Sequence, residues 1–154
     1  MGLPFGGDVM VVDGHPVVQT PPAGDGRRGA RTTVSGVADG GFNECVGTDV
    51  VEAGDGQATV ILQVDERHLN AGGSVHGGAI ATLADVAMGA AVRSAGGEKV
   101  ATIEMKVTYL EPGEAGELRA QARVRKKGSR ISIVEAEIDQ SGSTIAHAIA
   151  TFTV

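Results

Sequence analysis

From about residue 44 onward, apolar and polar positions recur with clear periods. Val46 to Ala53 and Gln57 to Val64 read as two strands joined by Gly54-Asp55-Gly56, a hairpin turn. A polar loop follows, Asp65 to Ser74. Gly77 to Ser94 then reads as one long helix closed by Gly96-Gly97, with Ile80, Leu83, Ala84, Ala87, Met88 and Ala91 on one face. Four strands come next. In the first, Ala101, Ile103, Met105, Val107 and Tyr109 alternate with Thr102, Glu104, Lys106 and Thr108. In the second, Leu118, Ala120, Ala122 and Val124 alternate with charged and amide side chains. In the third, Val134, Ala136 and Ile138 are in phase, whereas Ile131 and Ile133 are not, which predicts a bulge near Ile133-Val134. The last run, Thr144 to Val154, is apolar at nearly every residue and reads as a central strand. This order predicts an α+β fold in which an antiparallel sheet wraps one long central helix.

The remaining 43 residues differ in kind. They hold ten of the 24 glycines and four of the five prolines. Such a segment buries little apolar surface against its ordering entropy. The division is therefore an N-terminal arm over 1–43, mostly irregular with a short strand at Val9 to Val12, and one domain over 44–154. Gly24-Asp-Gly-Arg-Arg-Gly29 is formally a G-x-G-x-x-G, but Pro21-Pro22 precedes it and no helical pattern follows, so it reads as a loop.

Composition removes several classes of function. The net charge of -6 argues against a general role on nucleic acid or a membrane surface. No run is long and apolar enough to span a bilayer. The start, MGLPFGGDVM, has no basic region followed by an apolar run, so no signal peptide is expected. The single cysteine, Cys45, cannot pair internally, and a cytoplasmic location is the expectation. His15, His68, His76 and His147 form no H-E-x-x-H, and no cysteine pair exists, so no metal is expected. Aromatic residues make up only 3% of the chain, so Val, Ile, Leu and Ala must build the core.

The chemistry concentrates on the helix. From Gly77 to Val92 it carries one carboxylate, Asp85. In a helix wrapped by a sheet, an unpaired carboxylate costs several kcal/mol, as an order of magnitude. Ala81 and Gly89 share its stripe and would leave space beside it. The helix start, His76-Gly77-Gly78, offers unpaired amides at a positive dipole end, and glycine there lets a ligand oxygen approach. An oxyanion corner two turns from a carboxylate is what acyl transfer or hydrolysis requires. The residues alone leave a second reading open, in which Asp85 faces solvent on an amphipathic helix. A second cluster, Arg123, Arg125, Lys126, Lys127 and Arg130, surrounds one hairpin turn in an otherwise acidic chain. It suits phosphate binding, or alternatively a strand edge guarded by charge.

Asn70, Gly72 or Gly73, Val75-His76-Gly77-Gly78 and Leu83-Ala84-Asp85 together closely resemble the motif of hotdog-fold acyl-CoA thioesterases. The likeness is to the phenylacetyl-CoA thioesterase branch and covers about residues 45–154, including Thr108-Tyr109-Leu110-Glu111-Pro112. It implies a hotdog fold, an acyl-CoA substrate with coenzyme A as part of that substrate and no separate cofactor, and hydrolysis to free acid and coenzyme A. It implies a homodimer with sheets paired edge to edge, doubling to a homotetramer, and a site between protomers. Asp85 would act as general base or nucleophile, facing the Gly77 and Gly78 amides of the other chain. The Gly78 amide would polarise the carbonyl. Asn70 and His76 would order the substrate loop, and Thr102 would lie near the attacking water. Arg125, Lys126, Lys127 and Arg130 would hold the coenzyme phosphates. Two further functions remain open from the residues: a dehydratase or hydratase using His76 and Asp85 as an acid–base pair, and a non-catalytic acyl-CoA binder.

Overall fold

The computed structural model describes residues 9–12, 15–18 and 41–154. In the arm, strand β1 (Val9–Val12) is present as expected, and it pairs antiparallel with a second strand, β2 (His15–Val18), with Val9 opposite Val18. The Gly24 to Gly29 motif lies outside the described residues.

The remaining described chain begins with a short helix, α1 (Phe42–Val46), where a strand start was expected. Gly47, at φ 84, ends it in the left-handed region that glycine adopts without strain. Strand β3 (Thr48–Gly54) and strand β4 (Gln57–Val64) then form the predicted hairpin. Its two turn residues, Asp55 and Gly56, both have positive φ, as a primed two-residue turn requires. After a 3-10 turn (Glu66–His68), helix α2 runs from Gly77 to Ser94, the predicted span. Gly96, at φ 89, takes up the turn beyond it, and the Gly97 amide returns to the Val92 carbonyl at 3.1 Å.

Strands β5 (Thr102–Tyr109), β6 (Gly116–Lys127), β7 (Ile131–Gln140) and β8 (Ser143–Thr153) complete a six-stranded antiparallel sheet in the order β3-β4-β6-β7-β8-β5. β8 is an interior strand, as its continuous apolar run predicted. The sheet's inner face and α2 share one core of buried residues. Every member of the predicted helix face is in it.

Two registers differ from expectation. The bulge expected in β7 near Ile133 lies on its neighbour β6, between Val124 and Lys126. β7 keeps its phase, so Ile131 and Ile133 stand on the outer face while Ser132 turns inward and is buried. β5 carries a bulge of its own, between Thr102 and Glu104. It lies at the sheet's free edge, where only Met105 and Val107 are half-buried, and Ile103 and Tyr109 are 56% and 51% exposed. The strict alternation expected for this strand therefore fails at its start. The bulge turns Thr102 onto the face carrying Met105, Val107 and Tyr109, opposite buried Phe152 and toward the helix.

The core contains a layer of small side chains. Ala136 lies between Ala122 and Ala148 across three strands, all three buried. Packing at native density leaves no room for added methylenes. Ala136→Leu should destabilise the protein by roughly 1–3 kcal/mol, whereas Gln121→Leu, on the exposed face of β6, should stay within about 0.5 kcal/mol. Equilibrium denaturation checks this. Equal midpoints for the two variants would show that the alanine layer is not tightly packed.

Candidate active site

The helix start is shaped by the residue before it. His76 is extended, with φ -62 and ψ 131, and its Nδ1 accepts the Gly78 amide at 2.9 Å. An imidazole nitrogen thus does the capping usually done by Ser, Thr, Asp or Asn. This alters the expectation for the two glycines: the Gly78 amide is already committed to His76. The Gly77 amide has no partner among the described residues, because the first helical bonds run from Ala79 and Ile80 to the His76 carbonyl. The free donor at this helix start is Gly77.

The loop ahead of the helix is held from within. Asn70 Oδ1 accepts the Gly72 amide at 2.8 Å, and its Nδ2 donates to Ser74 Oγ at 3.0 Å. His76 N donates to the carbonyl of His68 at 2.7 Å. His68 is itself buried, with Nδ1 accepting the Asp65 amide at 3.0 Å and Nε2 2.7 Å from the Val46 carbonyl. It anchors the site loop to the end of α1. Sequence reading gave His68 no role, because nothing local reveals a partner 22 residues away.

Asp85 stands two turns into α2 and is half-buried. Thr102 Oγ1 donates to its Oδ1 at 2.6 Å. The carboxylate is therefore neither orphaned in a dry interior nor pointed at open solvent. Thr102 reaches it only because the β5 bulge turns this residue inward, which corrects the placement of Thr102 on the polar face. The space expected over Gly89 is narrower than the sequence implied: a Cβ there would lie 3.4 Å from Arg93 Nη1 and 3.7 Å from the Phe152 ring.

Beside the helix start opens a cleft of about 330 Å³, walled by Val75, Gly77, Ile80, Tyr109, Leu110 and Pro112 among others. Tyr109 Oη donates to the Gly77 carbonyl at 2.9 Å. Site reading from the sequence missed Tyr109, since only the fold shows that the end of β5 reaches the helix start. One strand thus touches the site twice, through Thr102 at Asp85 and through Tyr109 at Gly77.

The basic turn does not act as one cluster. Arg125 Nε donates to the carboxylate of Glu135 on the adjacent strand, and Lys127 Nζ donates to the Ala95 carbonyl at the end of α2. Those two cations have partners in the fold. Lys126 and Arg130 are exposed and form no ion pair among the described residues. Among the described residues no group of three or more His, Cys, Asp or Glu side chains could hold a metal ion.

The family model of the thioesterase superfamily matches residues 72–146, the stretch from the site loop into β8. The acyl-coenzyme A thioesterase PaaI of Escherichia coli is 35% identical over 105 residues, covering 67% of this chain and 74% of that protein. Among solved structures, a conserved protein of Pseudomonas aeruginosa superposes with a TM-score of 0.73 at 39% identity, over 75% of this chain and 94% of its own. A hypothetical thioesterase protein of Streptococcus pneumoniae, solved with coenzyme A, gives 0.66 at 27% identity over 70% and 84%. The strand order, the central helix and these likenesses agree, and the chain belongs to the thioesterase superfamily, in the hotdog-fold branch that resembles PaaI.

Proposed function

We propose that the protein hydrolyses an acyl-CoA thioester to the free acid and coenzyme A, with Asp85 as the catalytic carboxylate and the Gly77 amide polarising the thioester carbonyl. The observation that carries this is the 2.6 Å hydrogen bond from Thr102 to Asp85 Oδ1. It holds a carboxylate in the middle of a mostly buried helix with one oxygen engaged and Oδ2 left for chemistry. As a general base, Asp85 takes a proton from the water that attacks the carbonyl carbon, and the thiolate of coenzyme A leaves. As a nucleophile, it attacks the carbonyl carbon and expels the coenzyme A thiolate, and water then cleaves the resulting acyl–carboxylate anhydride to the free acid. In either case negative charge develops on the carbonyl oxygen, and an amide at a helix N-terminus is suited to receive it. The likeness to PaaI and to a protein solved with coenzyme A supports the substrate class. The capping bond at His76 Nδ1 weighs against the dehydratase reading, since that nitrogen is engaged with the backbone.

The reading includes a homodimer, pairing again into a tetramer. β5 leaves one backbone edge of the sheet open and exposes Ile103, Tyr109 and the adjoining Leu110, which is 57% exposed. A second copy laid along this edge would cover them and bring Asp85 of one chain toward Gly77 of the other. A cytoplasmic location agrees with the lone Cys45, and no described helix is long and apolar enough to cross a membrane.

For the coenzyme phosphates, the reading narrows to Lys126 and Arg130. Their turn lies at the far end of α2, beside Ala95, roughly 15 Å along the helix from Asp85 at 1.5 Å per residue. The extended pantetheine arm of coenzyme A spans such a distance.

Asp85→Asn keeps the shape and the hydrogen bond but removes the base. Turnover of acyl-CoA should fall roughly a hundredfold or more with the fold intact. Thiol release assayed alongside circular dichroism checks this, and near-normal turnover in a folded variant would reject Asp85. Removing both Lys126 and Arg130 by alanine should instead raise KM several-fold and leave kcat nearly unchanged, because phosphates far from the reacting carbon bind ground and transition states alike. An acyl thioester lacking the nucleotide should be indifferent to the double substitution. An unchanged KM for full acyl-CoA would place the phosphates elsewhere.

A further inference from the structure

We infer that Tyr109 is a positioning residue for this reaction: its hydroxyl fixes the Gly77–Gly78 peptide at the helix start, leaving the Gly77 amide as the free donor of the site. The inference rests on the thioester reading above and assigns a role to a side chain outside the helix and its loop.

The peptide between Gly77 and Gly78 is one planar unit. Tyr109 Oη donates to its carbonyl at 2.9 Å, and its N–H donates to His76 Nδ1 at 2.9 Å. Both poles of the same unit are therefore held by side chains, one from β5 and one from the capping residue. The bonds point in one sense, from phenol to carbonyl and from amide to imidazole, so each polarises the next. Because Nδ1 accepts, a neutral His76 carries its ring proton on Nε2. The preceding peptide is set by the Ala79 and Ile80 amides, at 2.9 and 3.3 Å from the His76 carbonyl. With both peptides fixed in orientation, the one unpaired amide between them is Gly77, and this residue lines the cleft.

Two further observations favour this role over simple packing. A Cβ on residue 77 would lie 3.2 Å from both Cζ and Oη of Tyr109, so the glycine permits the ring's close approach. Tyr109 is also 51% exposed in the single chain, so burial within its own chain does not force the ring onto the helix. Two consecutive glycines would otherwise leave this turn among the most deformable in the helix. A misplacement of about 1 Å in a group that meets the developing charge can cost on the order of a hundredfold in rate.

Tyr109→Phe tests this, since it keeps the ring and removes only the hydroxyl. We expect kcat to fall roughly tenfold with KM within about twofold, as for an interaction that counts mainly in the transition state. Independently of turnover, amide hydrogen exchange followed by NMR should show Gly78 losing protection several-fold, while core amides such as that of Leu83 are unchanged. A packing role predicts the opposite: Tyr109→Phe behaves as wild type, and only Tyr109→Leu, which removes the ring, raises KM. Unchanged Gly78 exchange, or lost protection without any fall in kcat, would overturn the inference. If the wild type released thiol from no acyl-CoA, the thioester reading would fail, and an unchanged Gly78 exchange rate would separately show that the hydroxyl does not hold the peptide.

Discussion

Helix α2 is apolar around most of its circumference, and keeping water from it is the constraint that shapes everything else. Nine of its 18 residues are buried, and the side chains on its inner face are mostly alanine, leucine and methionine. A sheet can cover such a helix only by curling, and it can lie close only if its own inner face is equally small. The alanines of β6, β7 and β8 meet that condition. The chain thus reaches close packing by setting alanines of both layers beside larger side chains such as Leu83, Leu118, Ile138 and Phe152.

Against that background the polar features of α2 stand out by position. Asp85 lies where the wrapping thins, near the open edge of the sheet, and Gly77 lies at the end where helix amides have no internal partner. β5 serves both. Its bulge carries Thr102 to the carboxylate, and its far end carries Tyr109 to the first turn. The strand least covered by the core is the one that reaches both Asp85 and Gly77. An edge strand with bare apolar side chains is a poor surface to leave in water. A second chain on that edge, as the proposed dimer has it, would cover it and bring its own Gly77 toward Asp85.

Much of this was legible in the residues. The span of α2, the Gly54-Asp55-Gly56 turn and the interior place of β8 follow from period, glycine chemistry and apolar continuity. What was not legible has a common cause. A bulge adds one residue and inverts every face beyond it, so alternation alone put Thr102 on the wrong side of β5 and misplaced a bulge onto β7. Which of two adjacent glycines keeps a free amide depends on where the His76 ring turns, and no spacing rule encodes that. The basic turn read as one cluster because a sequence shows charges and not cross-strand partners. Glu135 opposite the Arg125 side chain, and Ala95 beneath Lys127, divide it. The five-residue helix α1 is too short for a period to emerge.

The central claim is that one working site takes Asp85 from one chain and Gly77 from another, and subunit mixing tests it most directly. Asp85→Asn removes the carboxylate. Gly77→Pro removes the free amide at the first helical position, whose backbone suits proline after the extended His76, and its Cβ also presses on the Tyr109 ring, so it disables the Gly77 half of the site in its own chain as a unit. Each variant alone should be nearly inactive. In a dimer of the two, one site carries both lesions and the other carries neither. Random pairing of equal amounts should therefore recover about one quarter of wild-type turnover, as two-fold symmetry dictates. A mixture no more active than the two variants measured apart, with hybrid dimers present, would show that Asp85 and Gly77 do not act across chains.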